Sequence, residues 1–310
     1  MSFRFLIESI VEKSNPTVVG LDPTLEMVPE YIKDQCIAKY GETLEAAAEA
    51  VLLFNKGLID ALYDIVPAVK PQCAYYEMLG WQGVKALKET IDYAKANELF
   101  VITDGKRNDI GTTMQAYAKA HLGQTDVFGK SVESFGGDAL TVNAYLGTDG
   151  VAPLLEICNE ADKGIFILCK TSNKSSGELQ DKFIDGRPVY SLMGAMCQKW
   201  GESTQEAYGY SAVGAVVGAT YPEQLETLRK EMKNTFFLVP GYGAQGGKAK
   251  DVALAFDKKG LGAIVNSSRG IMCAYKNNDF DERDFALAAR KEALRMRDEL
   301  LSFIAKPSLD

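Results

Sequence analysis

Apolar and polar positions fall in blocks along the chain. Eight short runs of apolar and β-branched residues recur, each closing on small, polar or charged residues: TVVGLDP (17–23), PAVKPQCAYYE (67–77), LFVITDGK (99–106), ALTVNAYLG (139–147), GIFILCKTSN (164–173), VGAVVGAT (213–220), FFLVPGYG (236–243) and GAIVNSSRG (262–270). They are near-continuous rather than alternating, which is the pattern of strands buried on both faces. Between them lie stretches with helical spacing, at 42–65, 83–98, 221–233 and 282–305. Strict alternation of strand and helix implies parallel strands joined by crossovers. Eight such units over about 250 residues predict an α/β fold, a (β/α)8 barrel, as a single domain over 1–310. The competing doubly wound sheet would carry a G-x-G-x-x-G turn after its first strand. The sequence VVGLDPTLEMVPEY has none.

Two connections are long. Residues 24–41 follow the first strand, and KSSGELQDKFIDGRPVYS (174–191) follows the fifth. The second is rich in Gly, Ser and charge and follows the C-terminal end of a strand, so it reads either as a mobile lid or as a tolerated surface insertion. No internal repeat, low-complexity tract or linker marks a second domain. The opening MSFRFLIESIVEKSN has helical apolar spacing interrupted by acids, unlike a signal peptide.

Composition narrows the chemistry. With 46% apolar and 25% charged residues, the 310-residue chain reads as an ordinary soluble protein with a sizeable core. A net charge of -8 argues against a nucleic-acid partner, which calls for a basic face. A few local cations can still hold a small anion. No apolar run approaches the ~18 residues of a membrane span, so the expected location is cytoplasmic. The six cysteines (Cys36, Cys73, Cys158, Cys169, Cys197, Cys273) form no CxxC pair and read as free thiols, Cys73 and Cys169 as core residues on their strands. A lone histidine, His121, in a polar helical stretch argues against a Ser-His-Asp or Cys-His engine and against a His-rich metal site.

A barrel places its active site at the C-terminal ends of the strands. That rule gathers Asp22, Lys70, Asp104, Lys106, Asn143, Lys170, Ser172, Gln245, Ser268 and Arg269 on one rim. The last two loops, PGYGAQGG (240–247) and NSSRG (266–270), bring Gly241, Gly243, Gly246, Ser268, Gly270 and the Arg269 fork together. Glycines let backbone N–H groups approach an anion, and this fold commonly builds a phosphate site there. Tight turning alone would also use such glycines. In VITDGKRNDIGTT (101–113), period-two alternation puts Asp104 and Lys106 on one side, within reach of Lys70. Carboxylates and ammoniums so interleaved hold each other charged, whether in an active site or in a rim ion-pair network.

The segment Asp104-Gly-Lys106-Arg-Asn-Asp109-Ile110-Gly-Thr-Thr113 resembles the D-x-K-x-x-D-I-x-x-T signature of the orotidine 5'-phosphate decarboxylases. VGLDP, Lys70, KTSN, PGYGAQGG and SSRG follow in the family's order over nearly the whole chain, in the manner of its longer bacterial branch. The resemblance implies decarboxylation of orotidine 5'-monophosphate (OMP) to uridine 5'-monophosphate (UMP), the last step of pyrimidine synthesis, with no metal or organic cofactor. It implies a Lys70–Asp104–Lys106–Asp109 network with Lys106 as proton donor. It further implies a homodimer with shared active sites, in which Asp109 and Thr113 reach into the partner's site. Asp22 and Lys70 would hold the ribose, Ser172 the pyrimidine edge, and Gln245 with Arg269 the phosphate. Lys170 departs from the pattern, since shorter relatives often carry an acid there.

Two alternatives stand beside this. A magnesium-dependent sugar-phosphate decarboxylase or aldolase of the same superfamily needs an acid at the second strand; this chain has Lys70 there, a poor ligand for a hard cation, with Glu77 a few residues on. A non-catalytic nucleotide-phosphate binder would keep the phosphate loops but has no need of the interleaved charges. Arg107 and Asn108 receive no role.

Overall fold

The computed structural model describes residues 2–243, 246–277 and 280–309. Eight parallel strands close into a barrel: β1 (Thr17–Leu21), β2 (Ala68–Pro71), β3 (Phe100–Arg107), β4 (Ala139–Val142), β5 (Gly164–Lys170), β6 (Val213–Val217), β7 (Phe237–Val239) and β8 (Ala263–Ser267). Each pairs with its sequence neighbour, and β1 pairs with β8 to complete the ring. The expected barrel is therefore present, and all eight runs supply a strand.

Side chains of alternate residues point into the barrel. Val18, Ala68, Phe100, Ile102, Ala139, Phe166, Val216, Phe236, Leu238 and Ile264 form an inner core, joined from below by Phe3, Leu6, Ile7 and Ile10 of helix α1 (Phe3–Lys13). That spacing of three, one and three residues is one apolar helix face. The α1 helix therefore seals the N-terminal end of the barrel. Gly164 makes room for it: a Cβ there would lie 2.3 Å from the Phe3 ring.

A second core lies between the barrel and its outer helices. Helix α2 (Glu30–Tyr40) fills much of the first long connection, burying only Ile32 and Cys36. Helix α3 (Leu44–Leu62) is capped by the Thr43 hydroxyl, which accepts the Ala46 N–H, and buries Val51, Phe54, Leu58 and Ile59 against the barrel. The second apolar run is not one strand. It stops at Pro71, and the Gln72 side chain accepts the Ala74 N–H to start the short helix α4 (Cys73–Glu77). Cys73 thus sits in a helix, whereas Cys169 lies in β5; both are buried free thiols. Helices α5 (Gly80–Ala96), α6 (Gly111–His121), α7 (Thr148–Ala161), α8 (Val189–Gly201), α9 (Pro222–Glu231), α10 (Ala249–Val252), α11 (Arg269–Met272) and α12 (Phe285–Leu301) complete the outer layer. Residues 174–191 hold a 3-10 turn, Lys174–Glu178, a small hairpin, Phe183–Ile184 with Arg187–Pro188, and the start of α8. Among the described residues no helix is long and apolar enough to cross a membrane.

At the sealed end, the Lys163 ammonium lies 3.0 Å from Asp138 Oδ1, with both side chains buried. Asp138 Oδ2 also accepts the Val101 N–H, so one carboxylate ties β3 to the starts of β4 and β5. Removing one member of a buried pair leaves the other charge uncompensated. Lys163→Met is expected to destabilise the fold by about 3 kcal/mol, read as a lower urea midpoint at unchanged slope. A shift below about 0.5 kcal/mol would show that this pair contributes nothing specific.

His121, the last residue of α6, is buried with its ring stacked on Phe135 at a centroid distance of 4.9 Å. Burial, and then Arg107, pull its pKa down to about 4. It is a neutral packing residue.

Candidate active site

The C-terminal mouth of the barrel opens into a cleft of about 780 Å³. Period-two alternation builds it. The inward positions one step above the apolar layer are Lys70 on β2, Asp104 on β3, Thr141 on β4, Leu168 on β5 and Asn266 on β8, and all line the cleft together with Asp22 just past β1. The floor is polar on the β1–β4 side and apolar at Leu168, Val216 and Leu238 on the β5–β7 side.

Three of the four network residues meet directly. Asp104 Oδ2 accepts from Lys70 Nζ at 2.6 Å, and Asp104 Oδ1 accepts from Lys106 Nζ at 2.6 Å. Asp22 Oδ1 lies 4.0 Å from Lys70 Nζ. Lys70 and Asp104 are buried, whereas the Lys106 side chain is 46% exposed and projects into the cleft. Burial alone would push the Asp104 carboxyl up, but Lys70 and Lys106 outweigh it and hold it far below the usual carboxylate range. Burial likewise pulls the Lys70 ammonium down, yet Asp104 and then Asp22 outweigh it and leave its pKa raised. One carboxylate is thus clamped between two ammoniums, and one of these, Lys106, faces the cleft.

Asp109 does not join this cluster within the chain. Its Oδ1 accepts the Ile110 N–H, and neither it nor Thr113, exposed in the first turn of α6, lines the cleft. Arg107 turns the other way. Its guanidinium meets Glu77 Oε1 at 2.6 Å, donates to Gly105 O and lies over the Tyr117 ring, outside the cleft.

Ser172, Ser268, Arg269, Gly241 and Gly270 also line the cleft. Arg269 is exposed, and among the described residues its guanidinium has no ion-pair or hydrogen-bond partner. The loop after β7 is a closed turn. Gly241, Gly243 and Gly246 have φ of 99°, 69° and 97°, the left-handed region that favours glycine. The Gly243, Gly246 and Gly247 N–H groups bond to Gly247, Gly243 and Gly241 carbonyls. Gly243 and Gly246 therefore shape the loop rather than present these N–H groups outward, and neither lines the cleft. Gln245 lies outside the described residues.

Lys170 and Asn143, placed on the rim by their position after a strand, do not line the cleft. The Lys170 ammonium is wholly buried, donates to Ser176 Oγ at 3.0 Å and Asp181 Oδ1 at 2.8 Å, and sits 4.4 Å above the Tyr221 ring. It anchors the 174–181 segment, while Gln180 pins the Thr171 backbone. Thr141 and Asn266 carry no signal in a search for polar residues after each run, because they lie inside their strands. Counting inward positions in twos from Ala139 and Ile264 finds both.

Comparison with known proteins supplies the family. Residues 18–279 match the model of the orotidine 5'-phosphate decarboxylase / HUMPS family. The orotidine 5'-phosphate decarboxylase of Rhodopirellula baltica is 45% identical over 296 residues, 94% of this chain and 96% of that one. That of Clostridium tetani is 42% identical over 297 residues, 95% and 96% of the two chains. The solved structure of Leishmania donovani OMP decarboxylase is 30% identical and superposes with a TM-score of 0.71, covering 96% of this chain and 99% of that one. Fold and mouth together define a (β/α)8-barrel protein with a lysine–aspartate–lysine cluster in its C-terminal cleft. This chain belongs to the orotidine 5'-phosphate decarboxylase / HUMPS family.

Proposed function

We propose that the chain decarboxylates OMP to UMP, the closing step of pyrimidine synthesis, on the Lys70–Asp104–Lys106 cluster. The observation that carries this reading is the clamp itself: a carboxylate held ionised at the cleft floor, with the Lys106 ammonium beside it and open to a ligand. Breaking the C6–carboxylate bond leaves the electron pair on C6. An ammonium already in place stabilises that developing charge and then gives it a proton, forming the C6–H bond as CO2 departs. Solvent reprotonates the lysine. Asp104 faces the leaving carboxylate, and their repulsion is relieved on its departure.

Asp22 and Lys70 take the ribose hydroxyls, Ser172 the pyrimidine edge, and Arg269, together with Gln245, the phosphate. The apolar Leu168, Val216 and Leu238 wall suits the flat base. Asp109 and Thr113 serve the active site of a second copy across a homodimer interface. In support, both lie off their own cleft, and Ile110, Tyr145 and Leu146 around Asp109 are large exposed apolar residues.

The sugar-phosphate reading finds less support in the donor set. The second strand presents Lys70, already paired with Asp104, and Glu77 is paired with Arg107 away from the cleft. Following the loss of OMP absorbance with EDTA present decides between the readings. Turnover unaffected by EDTA is expected. A requirement for added magnesium, or turnover of a sugar phosphate instead, would overturn the assignment, and binding without turnover would mark a non-catalytic binder.

A further inference from the structure

The β3–β4 ladder contains an irregularity just where the charged cluster forms. Ile102 and Thr103 pair with Ala139 and Leu140, and pairing resumes only at Arg107 with Val142. Three residues of β3, Asp104, Gly105 and Lys106, thus face a single residue of β4, Thr141. Such an excess on one strand is a bulge, a device that re-aims side chains at the cost of ladder bonds. Lys106 lies in the left-handed region with φ of 46°, a conformation that a lysine adopts only when its surroundings hold it there.

Thr141 supplies the missing bonds. Its Oγ1 accepts the Lys106 N–H at 3.0 Å and donates to Asp104 Oδ1 at 2.8 Å. The polarity is fixed: an N–H can only donate, so the single hydroxyl proton is left for the carboxylate. The same carboxylate oxygen accepts from Lys106 Nζ. Backbone N–H, threonine hydroxyl, carboxylate and ammonium form one ring that starts and ends on Lys106. Thr141 itself is 1% exposed, so its hydroxyl meets little competition from water.

We propose that Thr141 is a positioning residue for decarboxylation, whose hydroxyl locks the β3 bulge and so aims the Lys106 ammonium and the Asp104 carboxylate at the reacting carbon. This rests on the function proposed above and extends it to a residue on the neighbouring strand. Valine keeps the shape and removes the hydroxyl, leaving the Lys106 N–H unpaired and the bulge free to relax. A displacement of about 1 Å at the reacting groups costs about a hundredfold in rate.

The test measures kcat and KM for OMP in wild type, Thr141→Val and Thr141→Ser, with UMP as the probe of binding. Thr141→Val is expected to lose about a hundredfold in kcat with KM and UMP affinity changed less than about threefold. Thr141→Ser, which keeps the hydroxyl, restores most of the turnover. In a Lys106→Ala background, adding Thr141→Val should cost less than about threefold more, because the threonine acts through the lysine. If Thr141→Val fails to fold, Thr141→Cys against Thr141→Ser makes the same comparison with a weak hydrogen-bonding group. Wild-type turnover in Thr141→Val, or serine as impaired as valine or cysteine, overturns the proposal. A wild-type enzyme that does not decarboxylate OMP overturns the function itself, and the two failures are distinct.

Discussion

Lys106→Ala is expected to cut the turnover of OMP by about four orders of magnitude, with the barrel still folded. Two contributions vanish together. The ammonium no longer offsets charge growing on C6, and no group stands ready to protonate it. Proton transfer by a positioned acid is worth about two to four orders of magnitude, and a preorganised charge adds to this. Stability changes little, because the lysine side chain is half in solvent and Asp104 keeps both Lys70 and the Thr141 hydroxyl. The check is single-turnover kinetics on saturating OMP beside a thermal melt. A loss of less than about tenfold would remove Lys106 from the proton-donor role.

Arg269→Ala carries the second largest effect, a fall of about a thousandfold in kcat/KM for OMP. The guanidinium faces the cleft from the first residue of α11, exposed and without an ion pair among the described residues, so a phosphate meets no competing partner. Binding energy gathered at the phosphate holds the base against the charged floor, so its loss reaches the rate as well as the affinity. Orotidine, the nucleoside without phosphate, provides the control. Wild type and variant should process it at equal, slow rates. An equal loss on both substrates would show that the arginine supports the structure rather than the phosphate.

Much of this was legible from the chain. Buried parallel strands advertise themselves as continuous apolar runs, and eight of them fix the barrel, whose C-terminal rim then names Asp22, Lys70, Asp104, Lys106, Ser172 and Arg269 as neighbours. The resemblance carried by D-x-K-x-x-D gave the chemistry. What stayed illegible has specific physical causes. Helix α2 was hidden because it buries only two side chains, too few for a periodic signal. The end of β2 at Pro71 was hidden because apolar residues continue into α4 without a break. Lys170 looked like a rim cation, yet its partners Ser176 and Asp181 lie in a loop whose path no local pattern fixes. Alternation already turns Arg107 away from Asp104, but its partner Glu77 lies thirty residues back in the short helix α4, which no local pattern marks.

Helix α1 bears on traffic as well as on stability. With Phe3, Leu6, Ile7 and Ile10 stoppering the base, the barrel is closed below the charged floor of the cleft. Among the described residues the way into the cleft is its C-terminal mouth, which nucleotide, solvent and carbon dioxide would share in the proposed reaction. Closing that mouth would therefore govern entry of substrate, drying of the reacting groups and escape of the gas together.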